Sequence, residues 1–375
     1  MLTLRELNRA TLARQLLLDR ASVGVTEAVA RLGGVQAQEP HPPYLGLWTR
    51  VDGFRREDLT AALRRREVVR VTWIRGTLHL VARDDYVAWR QASQPVLTEG
   101  LRVLGKRAEG LDVPALLTTA RDLLAERPLT FAELRPLLHA AFPAVDERAL
   151  GFAVRMYLPL AMVPTDHRWG FPSVASFTPA ESWLGRPLTG DGDPGPMVLR
   201  YLAAFGPASV ADVQAWSGLS GLRPVLDGLP LEVLTDERGR ELFDVPGAPR
   251  PAGDTPAPPR FLPEFDNLVL GHADRTRIVP EAYRDRITTK NLRVRATFTW
   301  DGFVAGTWTV ERKRGTATLV LAPFEPLPAD AVEPLTAEAG RLLGFDADDA
   351  SRHAVEISPA GSSTGGPAPR RAARA

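Results

Sequence analysis

The sequence predicts an α+β protein: three tandem winged-helix units followed by a small antiparallel β-domain. Three observations carry this. A pattern of helices followed by a hairpin recurs along residues 4–81, 130–171 and 209–245. Two Pro/Gly-rich stretches, 190–196 and 246–259, interrupt it as linkers. Beyond residue 260 the apolar period changes from helical to alternating. The expected boundaries are 1–95, 110–180, 194–247 and 260–357, with a disordered tail over 358–375 that lacks core-forming residues.

Leu4, Leu7, Leu12 and Leu16 recur at helical spacing and predict an opening helix. A short second helix follows over 26–32 with Val29 and Leu32 inward, and Gly33-Gly34 ends it. Pro40 biases Glu39 toward an extended backbone and argues against a new helix there. A third helix spans 57–66, with Leu59 and Leu63 one turn apart. The run 69–81 reads as a hairpin turning at Arg75-Gly76, which would set Val71 and Trp73 opposite Leu80 and Leu78, with His79 and Thr72 on the other face.

Thr130 and Glu133 form the capping-box pattern of the second unit's helix, and a further helix passes through Leu150, Val154 and Leu158. Strands at 161–163 and 169–171 complete that unit. Ser209 and Asp212 open the third, whose helix at 222–229 leads to paired strands 231–234 and 242–245. Strands at 293–300, 303–310 and 316–321 and a helix at 337–343 make the last domain.

Composition narrows the chemistry. Net charge is +1 from 46 basic and 45 acidic residues, so a nucleic-acid surface must come from the distribution of charge. No cysteine is present, which excludes thiolate catalysis, disulfides and cysteine metal sites. The histidines lack metal-ligand spacing and there is no phosphate-binding glycine loop, so neither metal nor cofactor is expected. With no signal-peptide core and no membrane-length apolar run, the chain reads as soluble, cytoplasmic and monomeric.

The segment Gln36-Ala37-Gln38 is the chemical focus. If extended, it aims both carboxamides one way and Glu39 the other; the alternative is a pair of solvated loop glutamines. Basic candidates for DNA contact are Arg64 in the run 64–66, Arg75 and His79 on the first hairpin, Arg275 and Arg277 in a polar cluster with His272 and Asp274, and Arg312, Lys313 and Arg314 at a hairpin tip. Each has a plain structural alternative: a solvated charge run, a turn residue bonded to backbone, or an ion pair around Asp274.

Q-A-Q at 36–38, W-I-R-G-T-L-H-L-V at 73–81 and F-D-N-L-V-L-G-H-A-D-R at 265–275 together resemble the AlkZ/YcaQ family of bacterial DNA glycosylases. The resemblance runs from residue 1 to about 357 and implies three winged helices followed by a β-barrel-like domain. It also implies excision of N-alkylated purines from double-stranded DNA, in one branch including interstrand crosslinks left by alkylating natural products. That branch carries Q-x-Q where the other has aspartate at the second position, so Gln36 and Gln38 become the catalytic pair. Two neutral amides suit a base that already bears a positive charge and needs no protonation to leave. A Schiff-base lyase would need a lysine, and only Lys106, Lys290 and Lys313 exist, none near the motif in sequence. The competing readings are a non-catalytic winged-helix regulator and a protein that sequesters a genotoxin.

Overall fold

Thr3 and Glu6 cap the first helix, Leu4–Arg14, reciprocally. This helix buries polar as well as apolar side chains: Asn8, Arg9, Thr11, Arg14 and the following Gln15 are all nearly inaccessible. Their partners lie far along the chain. Arg14 forms a buried bidentate pair with Asp244 at 2.6 and 2.9 Å. Asn8 Nδ2 donates to the carbonyls of Arg277 and Gly302, Arg9 to Thr255, and Gln15 to Ala204. The linker at 246–259 contains no helix or strand and lies along this helix, accepting from Arg5, Arg9 and Arg14.

The computed structural model describes residues 1–289 and 293–361. It is an α+β protein with two five-stranded sheets and one two-stranded sheet. The first sheet is built from β1 (Val35–Gln36), β2 (Val68–Thr72), β3 (Leu78–Ala82), β4 (Leu160–Met162) and β5 (Phe177–Pro179), in the order β1-β3-β2-β4-β5. The hairpins of the first two sequence units thus join in one sheet, through Val71 opposite Ala161. One face of this sheet carries Val68, Leu78 and Leu80 into a core shared with the helices Val113–Glu126, Phe131–Ala141 and Glu147–Tyr157. The other face carries Val69, Val71 and Val81 against Met197, Tyr201, Phe205 and Trp216 of the third unit.

Three local expectations change. The second hairpin pairs 160–162 with 177–179, and 169–171 is not a strand. The first hairpin pairs Thr72 with Leu78 and Val71 with His79, one residue out of the expected register. The connection is longer than two residues: Ile74–Gly76 makes a 3₁₀ turn in which Arg75 takes φ 55°. A helix also begins at Pro42, directly after the proline turn, because Pro42 and Pro43 occupy its first positions, where no N–H is needed.

In the third unit β6 (Glu232–Thr235) and β7 (Glu241–Asp244) pair as expected. The last sheet comprises β8 (Arg260–Leu262), β9 (Thr297–Trp300), β10 (Phe303–Lys313), β11 (Thr316–Pro323) and β12 (Arg352–Ile357), in the order β12-β11-β10-β9-β8. It is an open sheet, not closed into the barrel-like form the resemblance implied, and it is not wholly antiparallel. β12 runs parallel to β11, reached through the helix Ala329–Asp346 packed on the sheet. Ser358 and Gly361 remain bonded to Leu321 and Pro323. The rest of the expected tail, 362–375, lies outside the described residues, as does Lys290. Among the described residues, no helix is long and apolar enough to cross a membrane.

Candidate active site

The helix Val25–Arg31 ends in Gly33 and Gly34, at φ 67° and 83°. A methyl group on Gly34 would stand 3.1 Å from the Trp73 ring and 3.2 Å from the Leu80 carbonyl oxygen, so glycine is what lets β1 lie against β3. Asn267 holds this turn from the C-terminal half of the chain, donating to the Gly34 carbonyl at 2.7 Å and accepting from Gln36 N–H at 3.4 Å.

In β1, Gln36 stands directly opposite His79. Its side chain is buried, and Oε1 accepts from Arg75 Nη2 at 3.1 Å. Past Gln36 the chain leaves the strand. Ala37 N–H still donates to the Leu78 carbonyl at 2.7 Å, and Gln38 then turns its carboxamide back on the ladder. Gln38 Oε1 accepts from Leu78 N–H at 2.7 Å. The carbonyls of Ala37 and Gln38 are taken by Arg70, Nε at 2.9 Å and Nη2 at 3.0 Å. Glu39 is exposed.

Each carboxamide oxygen is therefore fixed by one donor from the protein and keeps a second lone pair. The groups that bond the two carboxamides are the Arg75 guanidinium and the Leu78 N–H, and neither is an acid. Arrayed this way, the pair can orient a water and offer negative dipole ends, but it cannot deprotonate.

The surroundings are cationic. Arg70 is buried and stacks over Phe171 at 5.0 Å; burial pushes its pKa down to about 10, against the opposing pull of Glu39. Arg75 also donates to the Trp216 carbonyl, and burial followed by repulsion from Arg275 lowers it to about 10. His79 is fully buried. Its Nδ1 lies 3.1 Å from the Thr77 carbonyl, so the proton sits there, and Nε2 has no partner. Burial and then the charge of Arg75 push its pKa to about 3, leaving a neutral ring.

The other sequence candidates are scattered. Arg64 is exposed and paired with Asp166. Arg277 is buried and donates to the Pro207 carbonyl at 2.8 Å, a structural position. His79, sealed inside, presents no surface to a duplex. Arg312 Nη1 donates to both carboxylate oxygens of Asp349 at 2.9 and 2.8 Å, while Lys313 and Arg314 are exposed at the β10–β11 tip. Arg75 touches Gln36, and Arg275 lies near enough to repel Arg75. Sequence reasoning missed Arg70 and Asn267. A charged residue inside the strand pattern V-V-R-V-T was the available signal for the first, whereas nothing local marks the second. A separate cleft of about 640 Å³ opens where His41, Arg168, Trp169, Arg293, Trp308 and Arg312 meet. Its arginines are neutralised by Asp348, Glu264 and Asp349. Among the described residues, no group of three or more His, Asp or Glu could hold a metal ion.

A carboxamide pair at the end of β1, in a cationic, acid-poor setting between helical units and a β-domain, fits an enzyme acting on a polyanion. The profile of the family described as "DNA glycosylase AlkZ-like" matches residues 29–345, and the chain belongs to the AlkZ-like DNA glycosylase family. Among solved structures, Streptomyces sahachiroi DNA glycosylase AlkZ is similar in fold, with a TM-score of 0.75 and 22% identity, over 96% of this chain and 100% of that one. No curated protein sequence matches.

Proposed function

We propose that this member of the family is a monofunctional, monomeric, cytoplasmic glycosylase that hydrolyses the N-glycosidic bond of cationic N-alkylated purines. Its substrates are 7-alkylguanine adducts in double-stranded DNA, including crosslinks formed by alkylating natural products. Gln36 and Gln38 position the attacking water. The three helix–hairpin segments act as winged helices, and the exposed β10–β11 tip with Lys313 and Arg314 meets the duplex.

The observation that carries this reading is the pinning of both carboxamide oxygens by neutral or cationic donors, with no carboxylate bonded to either carboxamide among the described residues. For an unactivated base such a site lacks both the acid and the base the reaction needs. For an N7-alkylated purine the leaving group already bears its charge and departs neutral. What remains is to place a water and to meet the developing oxocarbenium ion with oriented dipoles. Each fixed oxygen uses its free lone pair to accept a hydrogen bond from that water, whose proton passes to solvent as the C1′–O bond forms. Lys106 and Lys313 are exposed and neither bonds to residues 36–38, which favours hydrolysis over a Schiff-base route.

The test is a duplex carrying one 7-methylguanine, incubated with the protein and then heated in alkali to cut at abasic sites. Strand cleavage by wild type, lost or slowed about 10²–10³-fold in Gln36→Ala and Gln38→Ala, supports the reading. Release of uracil or normal bases at a comparable rate, or binding without any cleavage, refutes it; the second outcome would leave a DNA-binding regulator.

A further inference from the structure

Some buried arginines in this protein are paired with an acid, while others, such as Arg90 and Arg277, rest on uncharged oxygens. Arg14 has Asp244 and Arg50 has Asp266, and both pairs are bidentate. Around the Q-x-Q segment acids are missing from several arginines at once. Arg70 is held by two carbonyls, Arg155 by the Thr72 hydroxyl at 3.2 Å, and Arg75 by a carbonyl and a carboxamide; none has a carboxylate within ion-pair distance among the described residues. Arg275 is the extreme case. It is half-buried, and among the described residues its guanidinium has neither a hydrogen bond nor an ion pair.

The acids near Arg275 are already committed. Asp274 accepts from Thr276 and pairs with Arg240 and Arg238. Asp212 accepts from the N–H groups of Ala273 and Asp274. These last bonds strap the segment before Arg275 to the helix Val210–Ser217, and the Trp216 carbonyl near that helix's end receives Arg75. One short helix thus fixes both arginines; the charge of Arg275 acts on Arg75, and that of Arg284 acts on Arg275. Two guanidinium groups kept partly out of water without a counter-charge are costly, and an incoming anion relieves that cost. The planar donor fork matches a phosphate. Arg75 already reaches Gln36, so an anion held here lies beside the candidate catalytic amide.

We infer that Arg275, backed by Arg75, seats one phosphodiester group of the DNA backbone next to the nucleotide presented to Gln36. This rests on the reading of Gln36 and Gln38 as the working site. The cleft lined by Arg168, Arg293 and Arg312 is a weaker seat, because its cations are already matched by acids.

The test uses the full chain and a duplex bearing a tetrahydrofuran abasic analogue, so that binding is read without catalysis. Arg275→Gln is expected to weaken binding about tenfold and to reduce the slope of log Kd against log salt by about 0.9. Single methylphosphonates are then placed in turn around the analogue. One position should weaken wild-type binding about as much as the substitution does, and should have no further effect in Arg275→Gln. An unchanged salt slope, or additive losses at every position, overturns the inference. Should Arg275→Gln fail to fold, Arg275→Lys replaces it: the charge remains but the fork is lost, so the methylphosphonate penalty must change at that one position and nowhere else. Wild type that binds but excises nothing would refute the glycosidic chemistry and leave this cycle readable. Normal excision without any position-specific coupling would refute the phosphate seat alone.

Discussion

Replacing Gln38 by alanine separates two roles that the structure gives to one side chain. Gln38 Oε1 is the acceptor for Leu78 N–H at 2.7 Å, and Leu78 is 8% exposed. Truncation leaves that N–H buried and unpaired at the start of β3. Leaving such a donor unsatisfied costs about 1–3 kcal/mol. That corresponds to roughly 5- to 150-fold faster amide exchange at Leu78, since each factor of ten is about 1.4 kcal/mol. Exchange measured by NMR or mass spectrometry reads this one site, where a melting temperature averages the whole chain. Gln38→Glu keeps an acceptor in place and should return exchange at Leu78 to within about threefold of wild type. Excision is assayed on the same proteins. If the glutamate variant restores protection but not base release, the amide acts in the chemistry; if it restores both, its role is to hold the strand. Unchanged exchange at Leu78 in Gln38→Ala would refute the bond itself.

Acidification should destabilise the protein. His79 and His272 are each held neutral by burial at about 3, below their unfolded value, so stability is full above about pH 6.5 and is lost as pH falls below it. Asp85, pushed up to about 6 by burial, works the other way, its contribution being lost as pH rises from about 4 to 6. Near pH 5 the net is about one proton, a slope of roughly 1.4 kcal/mol per pH unit; urea titrations across that range check it, and a flat profile would mean that the histidines are solvated. Gly34→Ala should lose about 1–3 kcal/mol, because it places a side chain at φ 83° against Trp73 and Leu80; urea midpoints equal to wild type would show that β1 is free to shift. Asp266→Ala should cost about 3–5 kcal/mol by stranding the buried Arg50 guanidinium, and a loss below 1 kcal/mol in the same titration would mean that water reaches Arg50.

What the sequence made legible was local. Thr130 with Glu133, and Ser209 with Asp212, make the reciprocal capping bonds their spacing suggests. The pairing of Glu232–Thr235 with Glu241–Asp244 follows from two apolar runs around a charged turn. Errors came where one residue of loop length decides a face. A two-residue turn at Arg75-Gly76 would have put His79 away from Val71; the observed five-residue connection puts it opposite, on the face packed against the third unit, and both faces of this sheet are covered. The Q-x-Q segment shows the same limit. Alternation describes Gln36 within β1, but Gln38 lies past the strand's end, and its direction is set by a free N–H on another strand. β12 was invisible because its partner β11 lies beyond an 18-residue helix.

The order in which the chain is made bears on the first helix. Ribosomal synthesis delivers residues 4–14 well before the groups that satisfy Arg14, Arg9 and Asn8, which arrive only with Asp244, Thr255, Arg277 and Gly302. Until the chain has been made as far as Gly302, this helix lacks part of its polar partners. Its polar side chains stay in water until then, and its docking joins positions 230 to 294 residues apart.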